Sequence, residues 1–283
     1  MTSRSTTVVL EDLVFPEGPR WHEDRLWFSD QHAHRVVAMD LDGVAETIIE
    51  VPHQPSGLGW LADGRLLVVS MLDRKLFRLE AGRLVEHADL SALAPGALND
   101  MVADPTGRAY VGNFGFDMYA GDAPRDTCVI IVEPNGSARI GAEGLKFPNG
   151  TVITPDGRVL LVGESWASRI SAFDIGADGS LSNHRIWATL EGATVDGMCL
   201  DAEGAIWASC PFTGRCVRVV EGGEIVDEVK VSHKGAYACV LGGPERRTLF
   251  MCTAPDHVPD VARAAHAGRI ETAEVEVPGA GIP

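Results

Sequence analysis

The stretch Asn149-Gly150-Thr151-Val152-Ile153-Thr154-Pro155-Asp156-Gly157-Arg158-Val159-Leu160-Leu161-Val162-Gly163 reads as an apolar run, a Pro-Asp-Gly turn and a second apolar run. That is the pattern of a tight β-hairpin. The same phrase recurs along the chain. Glu17-Gly18-Pro19, Ser56-Gly57-Leu58, Asn99-Asp100-Met101 and Asp196-Gly197-Met198 open equivalent units, and a degenerate sixth begins at Tyr237-Ala238-Cys239. Successive anchors are 39, 43, 50, 47 and 41 residues apart, close to the length of one four-stranded propeller blade.

The interior of each unit distinguishes strands from helical repeats of similar length. Second strands are written as Leu26-Trp27-Phe28-Ser29, Leu66-Leu67-Val68-Val69-Ser70, Ala109-Tyr110-Val111-Gly112, Ala205-Ile206-Trp207-Ala208-Ser209 and Leu249-Phe250-Met251-Cys252-Thr253. Third strands follow, as in Arg35-Val36-Val37-Ala38-Met39 and Cys128-Val129-Ile130-Ile131-Val132, and helical periodicity is scarce. Fourth strands are visible in units one to five, whereas unit six runs out in a Pro/Gly tail. The missing strand is expected at the other end, where Thr6-Thr7-Val8-Val9-Leu10-Glu11-Asp12-Leu13 has the length and alternation to complete the last blade. Closure removes the free sheet edges that an open array would leave. The expected architecture is an all-β, six-bladed β-propeller forming a single domain over residues 1–283, its ring closed by the N-terminal strand.

Composition narrows the partners. With 45% hydrophobic residues the 283-residue chain can bury a substantial core, and no low-complexity linker divides it. A formal net charge of −16 argues against nucleic acid or an anionic membrane as a partner. No apolar run resembles a signal peptide or reaches the ~20 residues of a membrane span. Cys128, Cys199, Cys210, Cys216, Cys239 and Cys252 form no C-x-x-C pair and sit in apolar strand runs, so reduced thiols and a cytoplasmic location are expected. His32, His34, His233, His257 and His266 lack metal-ligand spacing.

Equivalent positions of a propeller repeat converge on its axis, which would bring Glu17, Asn99, Asn149 and Asp196 together. Two carboxylates and two amide oxygens without sulfur or imidazole suit calcium, magnesium or manganese. Without a cation the two carboxylates would repel, and one would take up a proton. By contrast Asp63, Asp104, Asp156 and Asp201, in the outer turns, read as turn formers. The loops leaving the second strands lie on the anchors' face. Among them the unit-three loop, 114–126, is the longest and carries Phe114, Phe116, Met118 and Tyr119, the composition of a lid or apolar wall.

Taken together, Phe15-Pro16-Glu17-Gly18-Pro19, Phe147-Pro148-Asn149-Gly150, Val195-Asp196-Gly197-Met198 and Leu241-Gly242-Gly243 resemble the senescence marker protein, gluconolactonase and luciferin-regenerating enzyme family of six-bladed propellers. The resemblance implies that Glu17, Asn149 and Asp196 bind one divalent metal, calcium foremost, with magnesium, manganese or zinc as substitutes. It places Asn99 at the same site, in contact with metal-bound water or substrate. It also implies a metal-dependent hydrolase that opens a lactone, a small-molecule ester, with Asp196 as general base. In one respect the chain departs from the sugar lactonases it resembles: they carry Arg two residues before the blade-three Asn, where Ala97 stands here. Together with Phe114, Phe116, Trp166, Phe212 and Tyr237 in mouth loops or at the last anchor, Ala97 points towards a less polar substrate, with Phe114, Phe116 and Trp166 as substrate-binding side chains. Two other functions are compatible with the sequence: hydrolysis at phosphorus, as in the diisopropylfluorophosphatase-type propellers, and ligand binding without catalysis.

Overall fold

Six antiparallel sheets surround a common axis in a computed structural model that describes residues 4–282. Blade one comprises Pro16–His22, Arg25–Asp30, Arg35–Met39 and Ala45–Glu50, and blade two Pro55–Trp60, Leu66–Ser70, Lys75–Glu80 and Arg83–Asp89. Blade three comprises Leu98–Ala103, Ala109–Asn113, Thr127–Val132 and Ala138–Leu145, and blade four Pro148–Ile153, Val159–Glu164, Arg169–Ile175 and Leu181–Thr189. Blade five is built from Met198–Asp201, Ile206–Cys210, Arg215–Val219 and Ile225–Lys230. Blade six joins Gly235–Gly242, Thr248–Ala254 and Gly268–Glu274 to the N-terminal strand Thr7–Leu13, which pairs antiparallel with Gly268–Glu274 and closes the ring as expected.

Strand burial follows distance from the axis. Inner strands such as Leu98–Ala103 and Pro148–Ile153 are buried along their whole length, whereas the outer strand Ala45–Glu50 is half-buried or exposed. Between each pair of neighbouring blades lies a separate apolar cluster: Val36 and Leu58 join blades one and two, Leu67 and Met101 blades two and three, and Tyr110 and Leu160 blades three and four. Around the remaining half of the ring, Leu161 packs with Met198, Cys199 with Cys239, and Phe28 with Phe250. All six cysteines are free and buried. Among the described residues no helix is long and apolar enough to cross a membrane.

The glycine after most anchors has a steric cause. A Cβ on Gly57 would lie 2.3 Å from Met101 N, and one on Gly150 would lie 2.5 Å from Asp196 O, because the inner strands approach closely near the axis. The Asp residues of the outer turns behave as turn formers. Asp104 Oδ1 accepts from Thr106 N at 2.8 Å, and Asp201 Oδ1 accepts from Glu203 N at 2.9 Å and Ala205 N at 3.0 Å.

Two features depart from the sequence reading. The C-terminal tail is not a loose end: Gly279–Ala280 pairs with Leu200 and Asp201 on the inner edge of blade five, and Ile282 bridges to Ile153 of blade four. Residues 255–267, which join the second and third strands of blade six, form a connection as long as 114–126 and contain a short helix, Pro259–Ala265.

Candidate active site

The inner strands, and for Asp196 the segment leading into one, deliver four of the anchors to one cavity at the mouth of the ring. Glu17, Asn99, Asn149 and Asp196 line it together with the sixth anchor, Tyr237, in a volume of ≈ 230 Å³. All four oxygen-bearing anchors are buried, at 6–9% exposure. Ser56 is buried on its own inner strand but lies off the lining. Phe114 and Trp166 line the cavity as well. Phe116 does not; it is 2% exposed and packs behind, its ring centroid 6.0 Å from that of Phe147 and 5.7 Å from that of Trp166. Ala97 faces a neighbouring cavity beneath the 114–126 loop, separated from the first by Phe114 and Tyr119, which border both.

Hydrogen bonds orient both amides. Asn99 Nδ2 donates to Pro148 O at 3.2 Å, and since a backbone carbonyl only accepts, Asn99 Oδ1 is the atom left for the cavity. Asn149 Nδ2 donates to Ser165 Oγ at 3.1 Å and to Asp196 Oδ1, which leaves the Asn149 oxygen likewise without a partner among the described residues. Ser165 Oγ donates onward to Val195 O at 2.7 Å, tying the blade-four loop to the segment that carries Asp196.

The carboxylates have no direct cationic partner among the described residues, although the charge of Arg20 acts on Glu17. Burial pushes the Glu17 carboxyl up to about 8, against a lowering by the Gly18 N–H that donates to its Oε2 at 2.8 Å. Asp196 is raised well above the usual carboxylate range by burial, and further by the charge of Glu17. Among the described residues neither makes an ion pair, and no Lys or Arg lines the cavity. Arg20 is committed to Asp100 at 2.5 Å, with further bonds to the carbonyls of Leu58 at 3.0 Å and Met101. Arg20 is therefore a strut between the inner strands of blades one, two and three, and Asp100 is its ion-pair partner. Two carboxylates without a counter-charge, facing two amide oxygens, are a donor set that fits a hard divalent cation. No three His, Cys, Asp or Glu side chains cluster as metal ligands among the described residues, so such a site depends on its amide oxygens.

The aromatic wall contains residues whose role the sequence reading did not assign. Phe15 and Phe147 each stand two residues before an anchor and line the cavity. Phe15 meets Tyr237 at 4.6 Å, and Phe147 stacks on Phe114 at 4.3 Å. Buried carboxylates hold the chain there: Asp30 Oδ1 accepts from Phe15 N at 2.9 Å, and Glu164 Oε2 from Lys146 N at 2.8 Å. The signal was present, since Phe15-Pro16-Glu17 and Phe147-Pro148-Asn149 repeat the same Phe-Pro pair before two anchors. Above the cavity, Tyr119 Oη donates to His257 O at 3.4 Å, so the two long loops meet across the mouth.

The fold and the site define a class: six-bladed propellers with an oxygen-lined cavity at the axis. Within that class the chain belongs to the SMP-30/gluconolactonase/LRE-like family, whose profile matches residues 15–255. It is 24% identical to a 6-deoxy-6-sulfogluconolactonase of Pseudomonas putida over 98% of this chain and 96% of the relative. It is 30% identical to zebrafish (Danio rerio) regucalcin over a match that spans 55% of this chain and only 54% of that relative. The crystal structure of a calcium-binding protein, regucalcin, from Agrobacterium tumefaciens superposes with a TM-score of 0.84 at 22% identity, covering 100% of this chain and 99% of the other.

Proposed function

We propose that the protein opens lactone rings by hydrolysis, with Glu17, Asn149 and Asp196 holding one divalent cation, calcium foremost, and Asp196 acting as general base. The convergence of these three side chains and Asn99 on one buried cavity carries the reading. A relative matched along nearly its whole length is named a lactonase, and a structural neighbour is described as calcium-binding, which supports it.

A bound divalent cation would supply Lewis-acid polarisation of the lactone carbonyl and keep both carboxylates ionised. The protein's own groups account for the proton. Asn149 Nδ2 engages Asp196 Oδ1, so Oδ2 is the oxygen that takes the proton of the attacking water as the water oxygen adds to the carbonyl carbon. Asn99 Oδ1 is an acceptor free to orient the second water hydrogen, since Nδ2 donates to Pro148 O. When the acyl carbon–oxygen bond breaks, the proton on Asp196 passes to the departing alkoxide. The product is the hydroxy acid, and the carboxylate is restored.

The test is turnover of a panel of lactones and aryl phosphotriesters before and after chelation. Lactone opening that stops on chelation and returns with calcium, magnesium, manganese or zinc is expected. Full activity in protein shown by elemental analysis to be metal-free overturns the metal reading, and turnover confined to the phosphotriesters overturns the lactonase one.

A further inference from the structure

We propose that the substrate is an uncharged lactone carrying an aromatic or compact alkyl portion, received in a slot between two groups of aromatic rings, with Phe147 as the specificity-determining side chain. The inference rests on the lactonase reading above and concerns the walls of the cavity rather than its floor. On one side Phe15 packs against Tyr237 at 4.6 Å; on the other Phe147 stacks on Phe114 at 4.3 Å, with Trp166 at 6.3 Å. The apolar surface continues outwards, because Trp166 and Phe212 are 52% and 59% exposed at the rim. Such surfaces favour a ring or alkyl group that sheds its water on entry.

Three of the polar side chains above the floor are engaged with the protein itself. Ser165 Oγ donates to Val195 O and accepts from Asn149, Gln31 Nε2 reaches Met71 Sδ, and Tyr119 Oη donates to His257 O. A polyhydroxylated ring would lose its hydration against the aromatic walls and find few replacements, at Thr194, Tyr237 and the His257 ring. An anionic substituent on the lactone, directed at the walls, would find no Lys or Arg among the lining residues.

Among the residues that line the cavity, only Phe147 has a left-handed backbone. It has φ 60°, a region costly for a bulky side chain, and it is kept there by Ser165 N donating to Phe147 O at 3.2 Å and by Glu164 accepting from Lys146 N. The chain thus bears local strain to hold a ring on the cavity wall.

The experiment compares kcat/KM for 3,4-dihydrocoumarin, δ-gluconolactone and a 6-sulfonated gluconolactone, in the wild-type protein and in Phe147→Ala and Phe147→Leu. Dihydrocoumarin should be preferred by ~10-fold or more over δ-gluconolactone, with the sulfonated lactone poorest. Phe147→Ala should lower dihydrocoumarin turnover by ~10-fold and δ-gluconolactone turnover by less than ~3-fold, with Phe147→Leu between, on protein whose circular dichroism is unchanged. A wild-type preference for either gluconolactone overturns the proposal, as does an equal loss on all substrates in both variants. If no lactone is opened, the hydrolase reading fails, and calorimetry then tests the slot alone: tighter binding of dihydrocoumarin than of δ-gluconolactone supports it, and equal or weaker binding overturns it.

Discussion

Asp196 and Glu17 share a cavity, a charge and a rise in proton affinity, yet their surroundings assign them different work. Asp196→Asn keeps an oxygen for the cation but removes the proton acceptor, so turnover should fall by ~10²-fold or more while metal content holds. Glu17→Gln removes a negative charge from the cation site and should show first as weaker metal affinity, recovered at higher metal concentration. Elemental analysis beside steady-state kinetics separates the two, and near wild-type turnover of Asp196→Asn at saturating metal would place the base elsewhere. Glu164 is not a ready substitute, since it is fully buried and held by Arg169 Nε at 2.7 Å. His32 supplies a pH-dependent prediction beside the site. Burial lowers it to about 4; its Nε2 meets His257 O at 3.1 Å, its ring stacks on Phe15 at 4.7 Å, and its buried Nδ1 has no partner among the described residues. Between the ordinary histidine value of 6.5 and about 4, the unfolded chain binds a proton that the folded chain refuses. His32 therefore costs stability as pH falls through that window and nothing above it. Urea titrations across the window should show a shallower acid loss in His32→Phe than in the wild type; identical slopes would remove His32 from the account.

The strands were the most legible elements, because hairpin turns and alternating apolar runs are local signals that each unit repeats. Asn99, Asn149 and Asp196 were legible for the same reason: an oxygen-bearing residue stood at one position of each unit. Glu17 was more telling still, since Glu has little reason to open a buried strand. The walls were less legible. Ala97 read as part of the mouth because it stands two residues before the blade-three anchor, and Phe116 because it lies in the loop leaving that blade's second strand, yet the backbone turns Phe116 behind Phe147 and sets Ala97 in the next cavity. Phe15 and Phe147 took those places, where a carboxylate at the end of the blade's second strand holds the backbone of Phe15 and of Lys146. The helix Pro259–Ala265 escaped notice because about two Ala-rich turns are too short to show a helical period, although Pro259 at its start was a fair marker.

At the scale of the ring, stability depends on closure. Each pair of neighbouring blades shares an apolar cluster, and the last interface is completed only when Leu13 joins Phe28 and Phe250. Removing residues 1–14 would take away the partner of Gly268–Glu274, expose that strand's edge and uncover part of the cluster. The truncated chain should aggregate, and any soluble fraction should unfold at a clearly lower temperature. A monomeric truncation with wild-type thermal stability would contradict the closure argument. The net charge of −16 complements this arrangement, keeping intact rings apart while two of its carboxylates gather at the axis.

By itself the sequence determined the all-β class, the number of blades, the closing strand and the four oxygen-bearing anchors, because all of these follow from a pattern with a period of two inside a pattern of about one blade. Only the tertiary structure decided what surrounds the anchors. Arg20 pairs with Asp100 across 80 residues and Asn149 engages Asp196 across 47, contacts for which no local signal exists. The same holds for the free oxygens of Asn99 and Asn149, the φ of Phe147 and the tail strand on blade five. A repeat tells where equivalent residues converge, since convergence is a property of the ring. What they meet there depends on side chains brought together from different blades, and their distances are fixed only once the ring has closed.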